Sequence, residues 1–371
     1  MQFKALRFVD PDKDKALFFA TLRKRVDGYF RENKISRNYN STMVIKTIVL
    51  LAAYLIPFIL FLILAPTLKI TILLWTIMGF AMAGIGMSIM HDANHGAYSN
   101  NQRINKWLGL TLNLAGGSVF NWKIQHNVLH HTYTNITHYD DDIDDKIILK
   151  LSPHTQAKWY HKFQVVYAFA FYSIVTIYWS VLKDFLQLHR YTEEGLNTNT
   201  KKENLILWIK LILMKSAYMF ILLAVPTLFF GIAFKAALIG FLVMHVIAGT
   251  MLTVIFQLAH TVEGTTHPLP NENYTIENNW AIHQMNTTVN FSRHNKFISW
   301  YVGGLNFQVE HHLFPNICHV HYPKISEIVK ATAEEFGVPY LENKTFMDAF
   351  KSHIRALASF AVVPSMDDAI G

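Results

Sequence analysis

Two apolar runs without a charged residue, residues 47–65 and 71–90, constrain the fold of this chain more than any other feature. Each has close to the roughly 20 residues with which an α-helix crosses a bilayer. Residues 217–233 and 236–257 form a second pair of such runs, separated by a short turn at Phe234 and Lys235. We therefore predict an all-α, multi-pass membrane protein whose four transmembrane helices form two hairpins.

Composition supports this class. Charged residues make up 16% of the 371 residues, against about 25% in an ordinary soluble domain. The mean hydropathy of +0.20 and the 51% of apolar residues exclude a disordered chain and a standard soluble enzyme. The single cysteine, Cys318, excludes a disulfide framework and a cysteine-rich metal site. Although the net charge is +7, so apolar a chain is not expected to bind nucleic acid.

The first 44 residues are polar, contain ten Lys or Arg, and lack the early apolar stretch of a signal peptide. Such an excess of positive charge before the first apolar run predicts a cytoplasmic N-terminus. After Gln257 the chain becomes polar again, with helical periodicity at Ile325, Ile328 and Val329. We predict a cytoplasmic N-terminal segment (residues 1–44), a membrane domain with a cytoplasmic helical cap (residues 45–345), and a C-terminal tail (residues 346–371).

Three groups among the 19 histidines carry the functional signal. The groups are HDANH (His91 and His95), HNVLHH (His126, His130 and His131) and QVEHH (Gln308, His311 and His312), and a single His260 follows the last apolar run. Within each group, residues three or four positions apart share one helix face. His130 and His131 are adjacent and point about 100° apart, which suits ligands of two different metal ions.

Imidazole is the commonest metal-binding side chain in proteins, and eight of them exceed the need of one ion. A single site uses about three or four protein ligands, so eight histidines predict a centre of two metal ions. Iron is preferred because it activates dioxygen. No Gly-rich nucleotide loop or Ser/Cys nucleophile pattern is present, and we predict no catalytic residue beyond the metal centre.

Other polar residues have supporting roles in this interpretation. Asp92 and Glu310 lie inside histidine groups and are predicted to orient the ligand imidazoles. Gln308 either binds a metal directly or hydrogen-bonds a metal-bound water. The acidic run at residues 140–145 forms a solvated loop or orients the histidines. His245, in the middle of an apolar run, is expected to be a hydrogen-bonded core histidine.

Two further apolar segments are not predicted to span. Residues 107–120 are too short and are expected to be interfacial or buried. Residues 165–182 are long enough and rich in aromatic residues. The histidine groups share one site only if an even number of spans separates them, so we predict that residues 165–182 lie along the membrane interface.

The three groups resemble the histidine boxes of integral-membrane fatty acid desaturases. Gln308 in place of the first histidine of the third box, within the segment GGLNFQVEHHLFP, is similar to the front-end subgroup. Enzymes of that subgroup insert a double bond between the acyl carboxyl end and an existing double bond. The likeness covers about residues 45–340. One difference is that three residues separate His126 from His130, where many relatives have two.

The resemblance implies a di-iron centre, O2 as co-substrate, four transmembrane helices and a cytoplasmic cap. It implies that the box histidines and His260 are the metal ligands, and that the substrate is an acyl-CoA or an acyl-lipid. Many eukaryotic members carry a fused b-type cytochrome domain, whereas no HPGG haem motif occurs here. We therefore expect a separate electron donor, such as a ferredoxin or a b-type cytochrome.

Two alternatives stay open on the sequence. An acyl hydroxylase or conjugase of the same superfamily shares the first hydrogen abstraction and differs in its product. A metal transporter would place its ligands near the middle of the membrane, along a path. Of the histidines in the chain, only His245 is central in a predicted span, so the sequence favours the enzyme.

Overall fold

The computed structural model describes residues 2–10, 12, 15–143 and 148–362, and these are predominantly helical. Asp144 and Asp145 of the acidic run, and residues 363–371 of the predicted tail, lie outside the described residues. The chain divides into two compact units. The first unit contains residues 2–3, 39–124 and 170–254, and the second unit contains the rest of the described chain.

Five helices are long and apolar enough to cross a membrane, judged by length and composition. They are Ser41–Leu64, Leu68–Asn94, Trp159–Glu193, Lys201–Phe230 and Phe234–His260. The predicted spans 71–90 and 236–257 lie within these helices, whereas the predicted spans 47–65 and 217–233 run one and three residues past the ends of theirs. The additional helix, Trp159–Glu193, is the third in chain order and contains residues 165–182, which were predicted to lie at the membrane interface. The structure therefore offers five candidates where four spans were predicted, and the four-span topology stays a prediction.

The first two helices form the predicted hairpin. Asn40 caps the N-terminus of the first helix, since its side chain accepts a hydrogen bond from the amide of Met43. Ala65 adopts a left-handed conformation (φ 41°) and ends that helix, and the next helix begins at Leu68. Pro57 lies inside the first helix, where membrane helices tolerate proline.

Glycine allows the helices of the first unit to approach closely. A Cβ atom on Gly79 would lie 2.8 Å from the carbonyl oxygen of Met244, and one on Gly249 would lie 2.6 Å from that of Ser173. Small residues at helix contacts are typical of membrane proteins, where close van der Waals packing replaces the hydrophobic effect. A larger side chain at either position would force the helices apart.

A buried ion pair fixes the segment between the second and third long helices. Lys215 Nζ lies 2.6 Å from Asp184 Oδ2 and donates to the carbonyl oxygen of Gly116. The Asp184 carboxylate also accepts hydrogen bonds from the amide of Ser118 and the indole of Trp179. Buried charges require such partners. The short helices anchored here are Gln102–Gly109, Leu110–Ala115 (a 3₁₀-helix) and Val119–Trp122, none long enough to span, as predicted.

The core of the second unit forms around an amphipathic helix, Phe18–Glu32. Residues at four-residue spacing face inward and pack with residues of the helices Gln308–Leu313 and Tyr322–Glu335. The inward residues are Phe18, Leu22, Val26 and Phe30, and their partners include Val309, Leu313, Ile325 and Val329. The helical periodicity predicted for residues 325–329 is confirmed.

Two short parallel strand pairs complete the second unit. Arg7–Phe8 pairs with Thr275–Ile276, and Asn290–Phe291 pairs with Glu342–Asn343. The helix Phe346–Phe360 lies in the predicted C-terminal tail and begins with a reciprocal cap between Thr345 and Asp348. The remaining helices of this unit are His131–Tyr133, Trp280–Thr287, Lys296–Tyr301 and the 3₁₀-helix His319–His321.

Candidate metal centre

The first histidine group belongs to the first unit. Near its end, the second long helix contains a π-helical turn, Ile85–Ile89. The α-helix then resumes as Met90–Asn94. His91 is on this helix and His95 is at its end, with ring centroids 4.7 Å apart, so the predicted shared face is confirmed. Both imidazoles pack edge-on against the indole of Trp122. A carboxylate oxygen of Asp92 lies 3.9 Å from the Nδ1 atom of His91.

The second group lies on a π-helix, Lys123–His130, rather than the expected α-helix. A π-helix closes its hydrogen bonds from residue i to i+5, so residues five apart share a face. His126 and His131 are five apart, and their Nε2 atoms lie 3.3 Å from each other. The wider turn therefore accommodates the additional residue of this group. It also keeps His130 close to both, with its ring centroid 5.2 Å from that of His126 and 5.7 Å from that of His131.

One set of imidazoles in the second unit joins three distant parts of the chain. The candidate ligand atoms of His130, His260 and His312 lie within 4.8 Å of one another, and all three side chains are fully buried. His260 is the last residue of the helix Phe234–His260, and His312 lies on the helix Gln308–Leu313. Three segments thus present nitrogen atoms to one point.

A second set shares one of these residues. The candidate ligand atoms of His131, His311 and His312 also lie within 4.8 Å of one another. The rings of His126 and His311 stack at 6.0 Å, which adds His126 to this set. Six of the eight predicted ligands therefore form two overlapping clusters in the second unit.

Neighbouring residues fix which nitrogen of each imidazole faces the cluster. The Nδ1–H of His130 donates to Asp140 at 3.0 Å, and the Nδ1–H of His312 donates to Gln284 Oε1 at 2.8 Å. Each therefore presents Nε2 to the cluster as an acceptor; that of His130 has no hydrogen-bond partner among the described residues, and that of His312 lies 3.4 Å from the Gln308 amide nitrogen. Such carboxylate and carbonyl partners are typical of metal-binding histidines, because they set the tautomer and the ring orientation. Asp140 thus has the orienting role that was one of two predictions for the acidic run.

The carboxylates beside the second histidine group favour the binding of a cation. Burial would lower the pKa of His130, but the carboxylates of Asp140 and Asp142 raise it above its ordinary value. Asp142 lies 3.8 Å from the Nδ1 atoms of both His126 and His130. Carboxylates so close stabilise positive charge on the imidazoles, and they stabilise a metal ion bound at the opposite nitrogens in the same way.

Gln308 lies among the clustered imidazoles, and its role as a metal or water ligand stays a prediction. Its amide nitrogen is 2.8 Å from His260 Nε2 and 3.4 Å from His312 Nε2. Its Oε1 atom and His130 Nε2 are buried, and neither has a hydrogen-bond partner among the described residues. Buried polar atoms are ordinarily satisfied, so these two acceptors among the clustered histidines suit the binding of a cation.

Glu310 has a different environment from the one expected. Its carboxylate accepts hydrogen bonds from Asn290 Nδ2 at 2.8 Å and Tyr340 Oη at 2.9 Å. Burial raises its pKa to about 7. Asn290 Oδ1 also accepts from the amide of Val309, so the network ties the third box to the strand Asn290–Phe291. Glu310 therefore anchors the helix that carries the third box.

Sequence reasoning missed several supporting residues. Gln284 accepts from His312 and donates to the carbonyl oxygen of His131 at 3.2 Å. Trp280 donates to the same carbonyl at 3.3 Å, and Tyr322 Oη lies 3.3 Å from His311 Nδ1. Gln284 and Trp280 are four apart on one helix and share a face. That spacing was the only available signal, and it occurs on many helices.

The residues present fit two metal ions. Metal–nitrogen bonds of about 2.0–2.1 Å place neighbouring ligand nitrogens of a tetrahedral site about 3.4 Å apart. The 3.3 Å between His126 Nε2 and His131 Nε2 matches that spacing. An all-imidazole donor set suits iron, zinc, copper and nickel.

Comparison with known proteins agrees with this chemistry. The fatty acid desaturase family profile matches residues 69–344. A sn-1 linoleoyl-lipid 6-desaturase of Arthrospira platensis is 35% identical over 94% of this chain and 93% of its own length. The enzyme of the same name from Synechocystis is 37% identical over 92% of this chain and 94% of its own.

A third relative is longer than this chain. The acyl-lipid (8-3)-desaturase of the moss Physcomitrium patens is 33% identical over 96% of this chain and 74% of its own length. The profile match, the near-complete overlap with these relatives and the clustered histidine boxes lead to one assignment: the chain belongs to the fatty acid desaturase family.

Proposed function

We propose that the protein is a front-end acyl-lipid desaturase, which inserts a cis double bond into an already unsaturated acyl chain. The observation that carries the proposal is the convergence of six buried imidazoles from three segments of the second unit. The names of the relatives, linoleoyl-lipid 6-desaturase and acyl-lipid (8-3)-desaturase, support the substrate class and the front-end position.

The metal in this proposal is iron, with two ions held by the box histidines and His260. When bound, the irons supply the activation of O2 that removes hydrogen from an unactivated CH2 group, which no acid–base side chain achieves. His91 and His95 join the ligand set on the resemblance of their motif. Gln308 binds a metal or a metal-bound water, and Asp92 supports His91.

The protein's own residues prepare the site before any chemistry. Asp140 and Gln284 hold the protons of His130 and His312 at Nδ1, so that both Nε2 atoms face the clustered imidazoles as acceptors. The imidazoles are buried, with exposures of 0–7% for the six in the second unit, which excludes bulk water from reactive species. The overall reaction is R–CH2–CH2–R′ + O2 + 2 e⁻ + 2 H⁺ → R–CH=CH–R′ + 2 H2O.

The membrane arrangement belongs to the same proposal. Both termini and the metal centre face the cytoplasm, the chain crosses the bilayer four times, and residues 165–182 lie at the interface. An acyl-lipid already has its tail in the bilayer, which suits a membrane-bound enzyme. Two electrons per turnover come from a separate one-electron donor protein.

The test is lipid analysis in a host that expresses the chain and is supplied with defined mono- and di-unsaturated acids. We expect a new double bond between the carboxyl end and the existing one, and iron in the purified protein. The His311→Ala variant should make no product while still inserting into the membrane. The matched control is His294→Ala, at an exposed histidine, which should keep activity. A hydroxylated product would identify the related hydroxylase activity instead.

A further inference from the structure

A cavity of about 780 Å³ opens on the second unit beside the amphipathic helix Phe18–Glu32. Three aromatic side chains and three cationic side chains line it, and we call these six residues the basic pocket. They are Phe8, Phe19, Trp280, Arg23, Lys24 and Arg31. None of the clustered histidines lines this cavity.

The spacing along the helix explains the pocket. Phe19, Arg23, Asp27 and Arg31 are four apart and form a stripe next to the buried stripe that packs into the core. The same helix therefore anchors itself with one face and presents cations with the adjacent face.

Two carboxylates, Asp10 and Asp27, also line the cavity, and both have hydrogen-bond partners. Asp27 accepts a hydrogen bond from Arg37 at 2.7 Å, and Asp10 accepts one from Asn279 at 2.9 Å. Arg23, Lys24 and Arg31 are exposed and form no ion pair with any residue that the structure describes. Three cations with no carboxylate partner make the pocket a site for an anionic partner.

The pocket also touches the metal centre. Trp280 is half-buried, and its indole Nε1–H donates to the carbonyl oxygen of His131 at 3.3 Å. Phe19 packs edge-on against Trp280 with ring centroids 5.6 Å apart. Since His131 is one of the clustered imidazoles, a single aromatic residue links the pocket to a metal ligand.

We propose that the basic pocket is the docking site of an acidic one-electron carrier protein, and that Trp280 carries its electrons towards His131. The inference rests on the proposed function, whose stoichiometry requires two electrons per double bond. Two reduced carriers are each oxidised by one electron. O2 accepts these two electrons together with two hydrogen atoms from the acyl chain, and two protons from the solvent complete two water molecules. The buried imidazoles offer no direct contact to a carrier.

Binding is measured first, without turnover. The first probe is an acidic plant-type [2Fe–2S] ferredoxin, and the second is a soluble b-type cytochrome. The affinity of each for the purified full chain in nanodiscs is measured at low and at high salt. The double variant Arg23→Glu/Lys24→Glu should bind about tenfold or more weakly at low salt, with a flatter salt dependence. The matched control is Lys324→Glu/Lys351→Glu, two exposed lysines of the second unit outside the pocket, which should bind like the wild type.

A chemical reductant separates docking from catalysis. After reduction with dithionite, a single turnover of Arg23→Glu/Lys24→Glu should give as much product as the wild type, whereas turnover driven by ferredoxin should fall with the affinity. Wild-type affinity of the variant for both carriers, or a wild type that binds neither carrier, would overturn the proposal. A raised KM for lipid with unchanged carrier affinity would assign the pocket to a lipid headgroup and also overturn it.

Trp280 is tested by the rate of the first electron transfer in stopped flow. Trp280→Leu should slow that transfer without changing carrier affinity, and Trp280→Phe, which keeps an aromatic ring, should restore most of the rate. Transfer at the wild-type rate in the leucine variant would exclude this route. If the wild type binds ferredoxin through the pocket but forms no double bond even with dithionite, the proposed function fails and the docking site stands.

Discussion

Histidines are buried in both units of the molecule, but their hydrogen-bond partners differ. In the first unit, His245 is fully buried, with Nδ1 3.0 Å from Thr176 Oγ1 and Nε2 2.9 Å from Tyr218 Oη. In the second unit, His130 and His312 each give Nδ1 to a protein partner and direct Nε2 at other imidazoles. Burial alone therefore does not indicate a ligand; the partner of the second nitrogen does.

The difference teaches how to assign buried histidines. A histidine whose two nitrogens both bond hydroxyl groups remote from any other imidazole, like His245, completes its hydrogen bonding within the protein and presents no lone pair to a metal site. A histidine with one nitrogen held by a carboxylate or amide oxygen, and the other aimed at a cluster, is incomplete without a cation. The hydrogen-bonded role predicted for His245 agrees with its contacts.

The largest effect should follow from His312→Ala. Because His312 belongs to both clusters, its removal should empty both metal positions, and product formation should fall by more than about a hundredfold. Iron content of the purified protein and lipid analysis measure the two consequences. The matched control is His245→Gln, which should keep its iron. Full iron content in His312→Ala would contradict the shared-ligand assignment.

A smaller loss is expected from Asp140→Asn. The change keeps the size of the side chain but removes the charge that holds the Nδ1 proton of His130, so metal affinity should fall by about 10–100-fold. Metal titration of the apoprotein measures this. Asp348→Asn, at a helix cap of the same unit, is the control and should bind metal normally. Unchanged affinity in Asp140→Asn would remove the orienting role.

The sequence predicted which residues belong to the candidate site better than it predicted the backbone and the hydrogen bonds that position them. The shared face of His91 and His95 and the apolar helices that hold the predicted spans followed from periodicity and motif, although the structure has a fifth such helix. The π-helix of the second box did not, because the extra residue before His130 is compatible with a loop, a bulge or a wider turn. Gln284 was missed because its partners, His312 and the carbonyl of His131, are remote in sequence.

The comparison also predicts a pH dependence of stability. His353 is buried and donates from Nδ1 to the carbonyl oxygen of Thr261, and burial lowers its pKa from 6.5 to about 4. Above pH 6.5 it is neutral in both states and contributes nothing to the dependence. Below that value the unfolded chain binds a proton that the folded chain does not, so stability falls as the pH falls.

For His353 alone, lowering the pH from about 7 to about 5.5 should cost about 1.2 kcal/mol of unfolding free energy. Thermal unfolding in detergent at several pH values measures it, and the readout is the difference between the wild type and His353→Asn, whose amide still donates. The variant should lose less stability over this range. Parallel pH profiles for the two proteins would show that His353 does not titrate between the folded and unfolded states.

The smallest effect should come from Tyr218→Phe, which tests the hydrogen-bonded side of the comparison. The change removes the partner of His245 Nε2 and keeps the ring, and hydrogen bonds between membrane helices contribute about 0.6 kcal/mol on average. Unfolding in detergent should show a loss of this order, and iron content should stay at the wild-type level, because His245 has no part in the clusters. If iron is lost while the fold is kept, then a histidine with both nitrogens satisfied still supports the metal centre, and the criterion drawn from the two regions is wrong.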